Sequence, residues 1–305
     1  LPCPAPRAGR VVGARGPIAK QWPGRATRHQ SGTVGSAGAG RSERATVPIV
    51  MVASPSRGCG TERSMGEHVS DQVSESTVSV STEGDVVVVR LDDGKANALS
   101  HEIIDALSAA LDEGASAKAV AIIGREGKFS AGFDLSVMTS GPQQARDLLE
   151  AGANLAMQAY LSPVPVVFGV TGHALAMGAI LCSAVDYRVG AEGPYKLGLN
   201  EVGIGMPVPR FAVELVRDRL TPTWFTRSAQ HGEVLDPTQA LAAGYLDEVV
   251  PLAEVPGRAI EVASGLAERV HPGPFRLTRT NIRGALAQRV TAELHQDLSE
   301  FSVGG

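Results

Sequence analysis

The sequence predicts an α/β fold built on parallel strands joined by crossover helices, and three observations predict it. Short β-branched runs alternate along the chain with helical segments of amphipathic spacing. Those helical segments are long enough to carry the chain back across a sheet. Glycine-bounded turns follow the central strands, at the ends where such folds keep their chemistry. Hydrophobic residues make up 43% of the 305, enough for a sizeable core.

"TVSVSTEGDVVVVRLDD" (Thr77–Asp93) reads as two strands joined at Glu83–Asp85. "GKANAL" follows as a loop. Ser100 then caps a helix, "HEIIDALSAALDEGA", whose Ile103, Ile104, Leu107 and Leu111 fall on one face. "KAVAIIG" (Lys118–Gly124) is a buried strand, and "REGKFSAGFDL" is a loop entering another helix. Residues 143–161 read as helical. "VPVVFGVTGHA" is a third buried strand with its turn. A helix is expected from about Ala176 to Ala184, then a strand at Tyr187–Gly190. Pro209 is expected to begin a helix through Leu220, since Pro suits a first helical turn. From Pro237 onward the pattern is mostly helical, broken by "YLDEVVP".

Charge is unevenly distributed. Residues 1–64 carry ten Lys and Arg against two acids, and the remainder carries eighteen against thirty. The first segment is rich in Gly, Ser, Pro and Arg and shows neither helical nor strand period, a composition that buries too little apolar surface to order itself. Three readings stay open for it: a transit peptide, a basic arm, or translated sequence upstream of a start at Met65 or Met51. The expected organisation is a tail over 1–64, a core over 65–255 and a helical region over 256–305. An acidic body argues against nucleic acid as a partner. No apolar run reaches the ~18 residues of a membrane span, and a cytoplasmic protein is expected. Cys3, Cys59 and Cys182 are too widely spaced for a metal motif or a disulfide framework. Cys182, set among Leu and Ala, reads as a core residue.

Two turns stand out. "KFSAGFDLS" (Lys128–Ser136) and "GHALAMGA" (Gly172–Ala179) each follow a buried strand and open a helix. Small residues there let the backbone approach a ligand. First-turn amides of a helix lack internal partners and carry partial positive charge. Two such turns together could aim two N–H groups at one oxygen, forming an oxyanion hole. Ordinary strand-to-helix turns tightened by Gly are the other reading of the same residues.

"SAGFDL", then "GHALAMGAILCSAVDYRVG" about forty residues later, then "GLNEVGIGMPVP", resemble the crotonase superfamily, the enoyl-CoA hydratase/isomerase group. "KANALS" resembles its CoA-contacting loop, and "DPTQALAAGYLDEVVP" a further family segment. These motifs stand in family order over roughly residues 77–285. The resemblance implies a ββα spiral with a helical C-terminal trimerisation region, an acyl-CoA thioester as substrate, and a homotrimer or dimer of trimers. It implies no cofactor, because coenzyme A belongs to the substrate, and no metal. The oxyanion donors it implies are the amides of Phe133 and Met177. It places Phe133, Asp134, Leu135 and Ser136 beside the pantetheine and nucleotide, with Ser130 close by, and Ala96 and Ala98 at the adenine through their backbones. It offers Arg279 to the CoA phosphates.

Family hydratases pair two glutamates, one three residues after the second donor and one downstream. Here the first position is Ile180 and the second is Glu201. Water addition needs the water activated and a proton delivered, which a carboxylate pair serves. One carboxylate suffices to move a proton between two carbons on one face. The expected activity is of the hydratase/isomerase type with Glu201 as acid and base, and the alternatives are a pure 3-enoyl to 2-enoyl isomerase or a non-catalytic acyl-CoA binder. His173, just before the second turn, is expected to bond to nearby backbone, and Asp134 to cap its helix.

Overall fold

The computed structural model describes residues 77–300. The segment 1–64, both proposed start positions, Cys3 and Cys59 lie outside the described residues.

Strands β1 (Val78–Glu83) and β2 (Val86–Leu91) form the antiparallel hairpin the β-branched runs predict, turned at Gly84. Strand β3 (Ala98–Leu99) is brief. Ser100 then caps α1 (His101–Gly114) by accepting from the Ile103 amide at 3.4 Å, and all four predicted apolar positions are buried. Strand β4 (Ala119–Gly124) lies parallel to β2.

The segment expected to be a loop is more ordered than that. It holds β5 (Gly127–Ser130) and β6 (Gly132–Phe133) ahead of the single turn α2 (Leu135–Met138). Strands this short, broken by Gly127 and Gly132, carry no alternation to read. Helix α3 (Pro142–Tyr160) begins with Pro, whose missing N–H costs nothing there. Next come β7 (Val166–Val170), β8 (Gly172–Leu175), α4 (Met177–Ala184), β9 (Tyr187–Ala191) and β10 (Leu197–Gly198).

Helix α5 (Arg210–Arg219) starts one residue later than expected, because Pro209 stands before it as the cap residue. Pro209 has no side-chain acceptor to offer the free amides. Asp297 supplies one from far along the chain, accepting from the amides of Arg210 at 2.8 Å and Phe211 at 3.3 Å. Then follow α6 (Pro222–Phe225), α7 (Pro237–Ala243), β11 (Glu248–Val250), α8 (Val255–Arg269) and α9 (Pro272–Glu300), which carries Asp297.

Six strands form the main sheet in the order β1-β2-β4-β7-β9-β11, parallel except at β1. Period-two alternation sends its side chains to two cores. Val86 and Val88 face α8, whose Val255, Ala259, Ala263 and Ala267 recur every fourth residue. Val87 and Val89 face the larger core with α1, α3 and α4. Small residues on α8 let it lie close to the sheet. A parallel three-stranded sheet, β10-β8-β5, and the pair β3-β6 stand apart from the main sheet. They hold the two turns.

Candidate active site

The two turns touch through a glycine. Gly132 adopts φ 95°, and a Cβ there would lie 2.8 Å from the Ala176 Cβ and 3.4 Å from the Met177 nitrogen. Only a residue without a side chain permits both the conformation and the approach. Ala176 itself sits at φ 48° and ψ −121°, a region that disfavours any Cβ. Met177 opens α4, so its amide has no acceptor within the helix. The residue is fully buried. The Phe133 ring lies against the bare backbone of α3 at Gly152.

Asn97 ties this corner together, and sequence reasoning missed it. Fully buried at φ 52°, it donates from Nδ2 to the carbonyls of Leu91 (2.9 Å), Phe129 (3.1 Å) and Lys128 (3.2 Å), and accepts from the Asp93 amide (2.9 Å). One amide side chain thus joins the end of β2, the loop before β3 and the end of β5. The only signal in the sequence is an Asn between two alanines.

Ser130 is part of the framework of the first turn. It is buried, donates to the Asn97 carbonyl at 2.8 Å and accepts from the Gly132 amide at 3.1 Å. Both of its bonds are internal, and they orient the turn. Ala96 and Ala98 lie alongside: the Ala96 carbonyl accepts from the Ala131 amide at 3.0 Å, and Ala98 pairs with Gly132. Asp134 caps α2, accepting from the Ser136 amide (2.8 Å) and hydroxyl (2.7 Å), and these bonds hold its carboxyl below the usual range. Leu135 is 67% exposed.

Glu201 is the acid in the cleft beside the turns. It is buried, and its Oε2 has no hydrogen-bond partner among the described residues. Burial disfavours the charged form and pushes its pKa up to about 7, although the Glu201 and Asn200 amides pull the other way. A cleft of about 130 Å³ gathers Glu201, Asn200, Ile180, Ala176 and Phe133 in one wall system. Asn200 and Glu201 are its polar side chains, and the rest of the lining is apolar. Burial, a lone carboxyl and a pKa near neutrality are the marks of a proton-transfer group.

The remaining predicted residues lie elsewhere. His173 accepts the Lys196 amide at Nδ1 (3.1 Å) and meets Tyr195 edge-on; burial lowers its pKa, helped by Lys128 and Lys196. Cys182 is buried and its thiol is pushed up by burial, as a core residue should be. Arg279 is engaged within the chain. Its guanidinium pairs with Asp186 at 2.6 Å, donates to the Ser162 carbonyl and lies over the Phe275 ring. Arg283 reaches the other Asp186 oxygen at 3.1 Å, so the two arginines fasten α9 to the start of β9. Among the described residues, no three His, Cys, Asp or Glu side chains gather as metal ligands, and no helix is long and apolar enough to cross a membrane.

Known proteins resemble this chain in sequence and in fold. The family model described as Enoyl-CoA hydratase/isomerase matches residues 81–303. Enoyl-CoA delta isomerase 1, mitochondrial, of Mus musculus is 30% identical over 234 residues, covering 74% of this chain and 80% of that protein. Among solved structures, an enoyl-CoA hydratase/isomerase family protein from Pseudomonas syringae superposes with a TM-score of 0.72 at 38% identity, covering 74% of this chain and 98% of that one. An enoyl-CoA hydratase from Mycobacterium marinum gives 0.70 at 34% identity, covering 74% and 100%. Human mitochondrial delta3-delta2-enoyl-CoA isomerase gives 0.69 at 28% identity, covering 74% and 90%.

Proposed function

The chain belongs to the enoyl-CoA hydratase/isomerase family, and from that premise we propose that it isomerises 3-enoyl-CoA thioesters to 2-enoyl-CoA with Glu201 as its single acid and base. The observation that carries this reading is Ile180 in the same cleft as Glu201. A hydrocarbon side chain neither activates water nor supplies a second proton.

The reaction follows from one carboxylate and two amides. Ionised Glu201 takes a proton from C2, which the thioester acidifies. The C2–H electron pair becomes the C1=C2 bond of a dienolate, the carbonyl pair moves onto the thioester oxygen, and C3=C4 stays in conjugation. The amides of Phe133 and Met177 stabilise that oxygen, and a preorganised pair of donors in a dry site is worth several kcal/mol to the transition state, roughly 3 per donor. Protonated Glu201 then returns the proton to C4: the C3=C4 pair takes the proton, the C1=C2 pair becomes C2=C3 and the carbonyl re-forms, giving the 2-enoyl product. Atoms balance without water or cofactor. A pKa near 7 suits both halves of the cycle, since the group must accept and release the same proton. Ala96, Ala98 and residues 133–136 hold the CoA portion. The proposed assembly is a homotrimer or a dimer of trimers, and the proposed location is the cytoplasm. The assembly rests on the family resemblance.

Incubating crotonyl-CoA and a 3-enoyl-CoA in heavy-oxygen water, with mass-resolved products, tests the reading. A shifted double bond without label is expected. Incorporated label means hydration instead, and no product from either means a binder.

A further inference from the structure

The cleft has a floor as well as a mouth. Ile180 and Phe211 are each 2% exposed, Leu149 3% and Met138 5%, whereas Leu135 and Ile204 at its other end are 67% and 59% exposed. With Glu201 and Asn200 on the wall, a chain entering past Leu135 and Ile204 meets hydrocarbon alone at the far end. We infer that this cleft is a length gauge, closed by Phe211, that admits acyl groups of up to about six carbons; the inference rests on the proposed acyl-CoA chemistry and narrows its substrate to short, unfunctionalised chains.

Volume sets the limit. The cleft holds about 130 Å³. An apolar protein cavity of ~150 Å³ accepts benzene, a six-carbon ligand. A chain twice that length has nowhere to go unless the floor gives way.

The floor is built not to give way. Phe211 lies in the first turn of α5, and its amide and that of Arg210 are both held by Asp297 of α9. Pro209, which also lines the cleft, fixes the backbone just before it. Phe211 belongs to the same packed core as Leu215, Leu286 and Leu294, and close-packed interiors resist displacement of a ring. Swinging the ring aside would open a void in that core, and shifting the backbone that carries it would break the Asp297 bonds. The depth is therefore a property of the fold, set by a contact between helices distant in sequence.

Binding of saturated acyl-CoA thioesters, which the enzyme does not turn over, reads the gauge independently of the reaction. Calorimetric Kd values are compared for four-, six-, eight- and twelve-carbon thioesters. Affinity should tighten about fourfold per methylene up to six carbons, then level or weaken, so that the twelve-carbon thioester falls roughly 4,000-fold or more short of what continued tightening from six carbons would give. Phe211→Leu should move the break to longer chains. Met138→Ala gives the same readout at a second floor position should Phe211→Leu fold poorly. Affinity that keeps rising through twelve carbons, or no binding of any thioester, overturns the gauge. A clear break with no turnover of 3-enoyl-CoA keeps the gauge and sinks the isomerase reading; turnover without a break does the reverse.

Discussion

Ile180 and Glu201 share one cleft, a buried hydrocarbon and a buried acid, with Asn200 the other polar side chain in its lining. A carboxyl without an acidic neighbour must manage the proton alone.

Replacing Glu201 by Gln removes that proton carrier and keeps its shape. Turnover of a 3-enoyl-CoA should fall by about a hundredfold or more, while the Kd for a saturated CoA thioester stays within a few-fold. Steady-state rates and calorimetry on the same preparation check this. Normal turnover by the variant would remove Glu201 from the mechanism.

The pH profile follows from burial. Glu201 acts ionised, and its pKa stands at about 7. The value of kcat/KM should therefore rise with pH up to about 7 and level above it. Stability runs the opposite way. Between the ordinary carboxyl range and about 7 the folded chain keeps a proton that the unfolded chain has released, so the folded state binds more protons and loses stability as pH rises through that window. Glu201→Gln, always neutral, should gain on the wild type between pH 5 and pH 8, by at most about 3 kcal/mol. Denaturant melts at both pH values measure the difference.

Gly132→Ala should part the two turns. Its Cβ would press on the Ala176 Cβ at 2.8 Å, at a φ of 95° that favours glycine. A destabilisation of about 1–3 kcal/mol is expected, with turnover falling at least tenfold more than acyl-CoA affinity. Thermal melts, rates and Kd values separate the two effects.

Arg279→Met should destabilise by about 3 kcal/mol, because Asp186 keeps only Arg283 as its ionic partner. Urea unfolding gives the number. A change below 0.5 kcal/mol would mean that the pairing with Asp186 contributes little to the fold.

Where a segment had length and a period, the residues alone were enough. Ile103, Ile104, Leu107 and Leu111 of α1 and the valines of β2 fell where spacing put them. Strands β5, β6 and β8 were not legible, since two to four residues interrupted by glycines leave no alternation. Glu201 and the two turns have local signatures in the sequence, helix starts and small residues. The long-range bonds of Asn97, Ser130 and Arg279 have none, because they reach 31 or more residues away to Lys128, Asn97 and Asp186. Pro209 shows the same limit: it reads as a helix start, but the acceptor that completes that start is Asp297, 87 residues from Arg210.

Ala176 holds a backbone conformation that glycine would adopt at no cost. A chain evolving purely for heat resistance would therefore put glycine there and relax. Keeping the methyl group sets it against Gly132, where the two turns meet; under the proposed chemistry that contact would hold the first amides of α4 in place before any thioester arrived, so durability and readiness pull against each other at this one position.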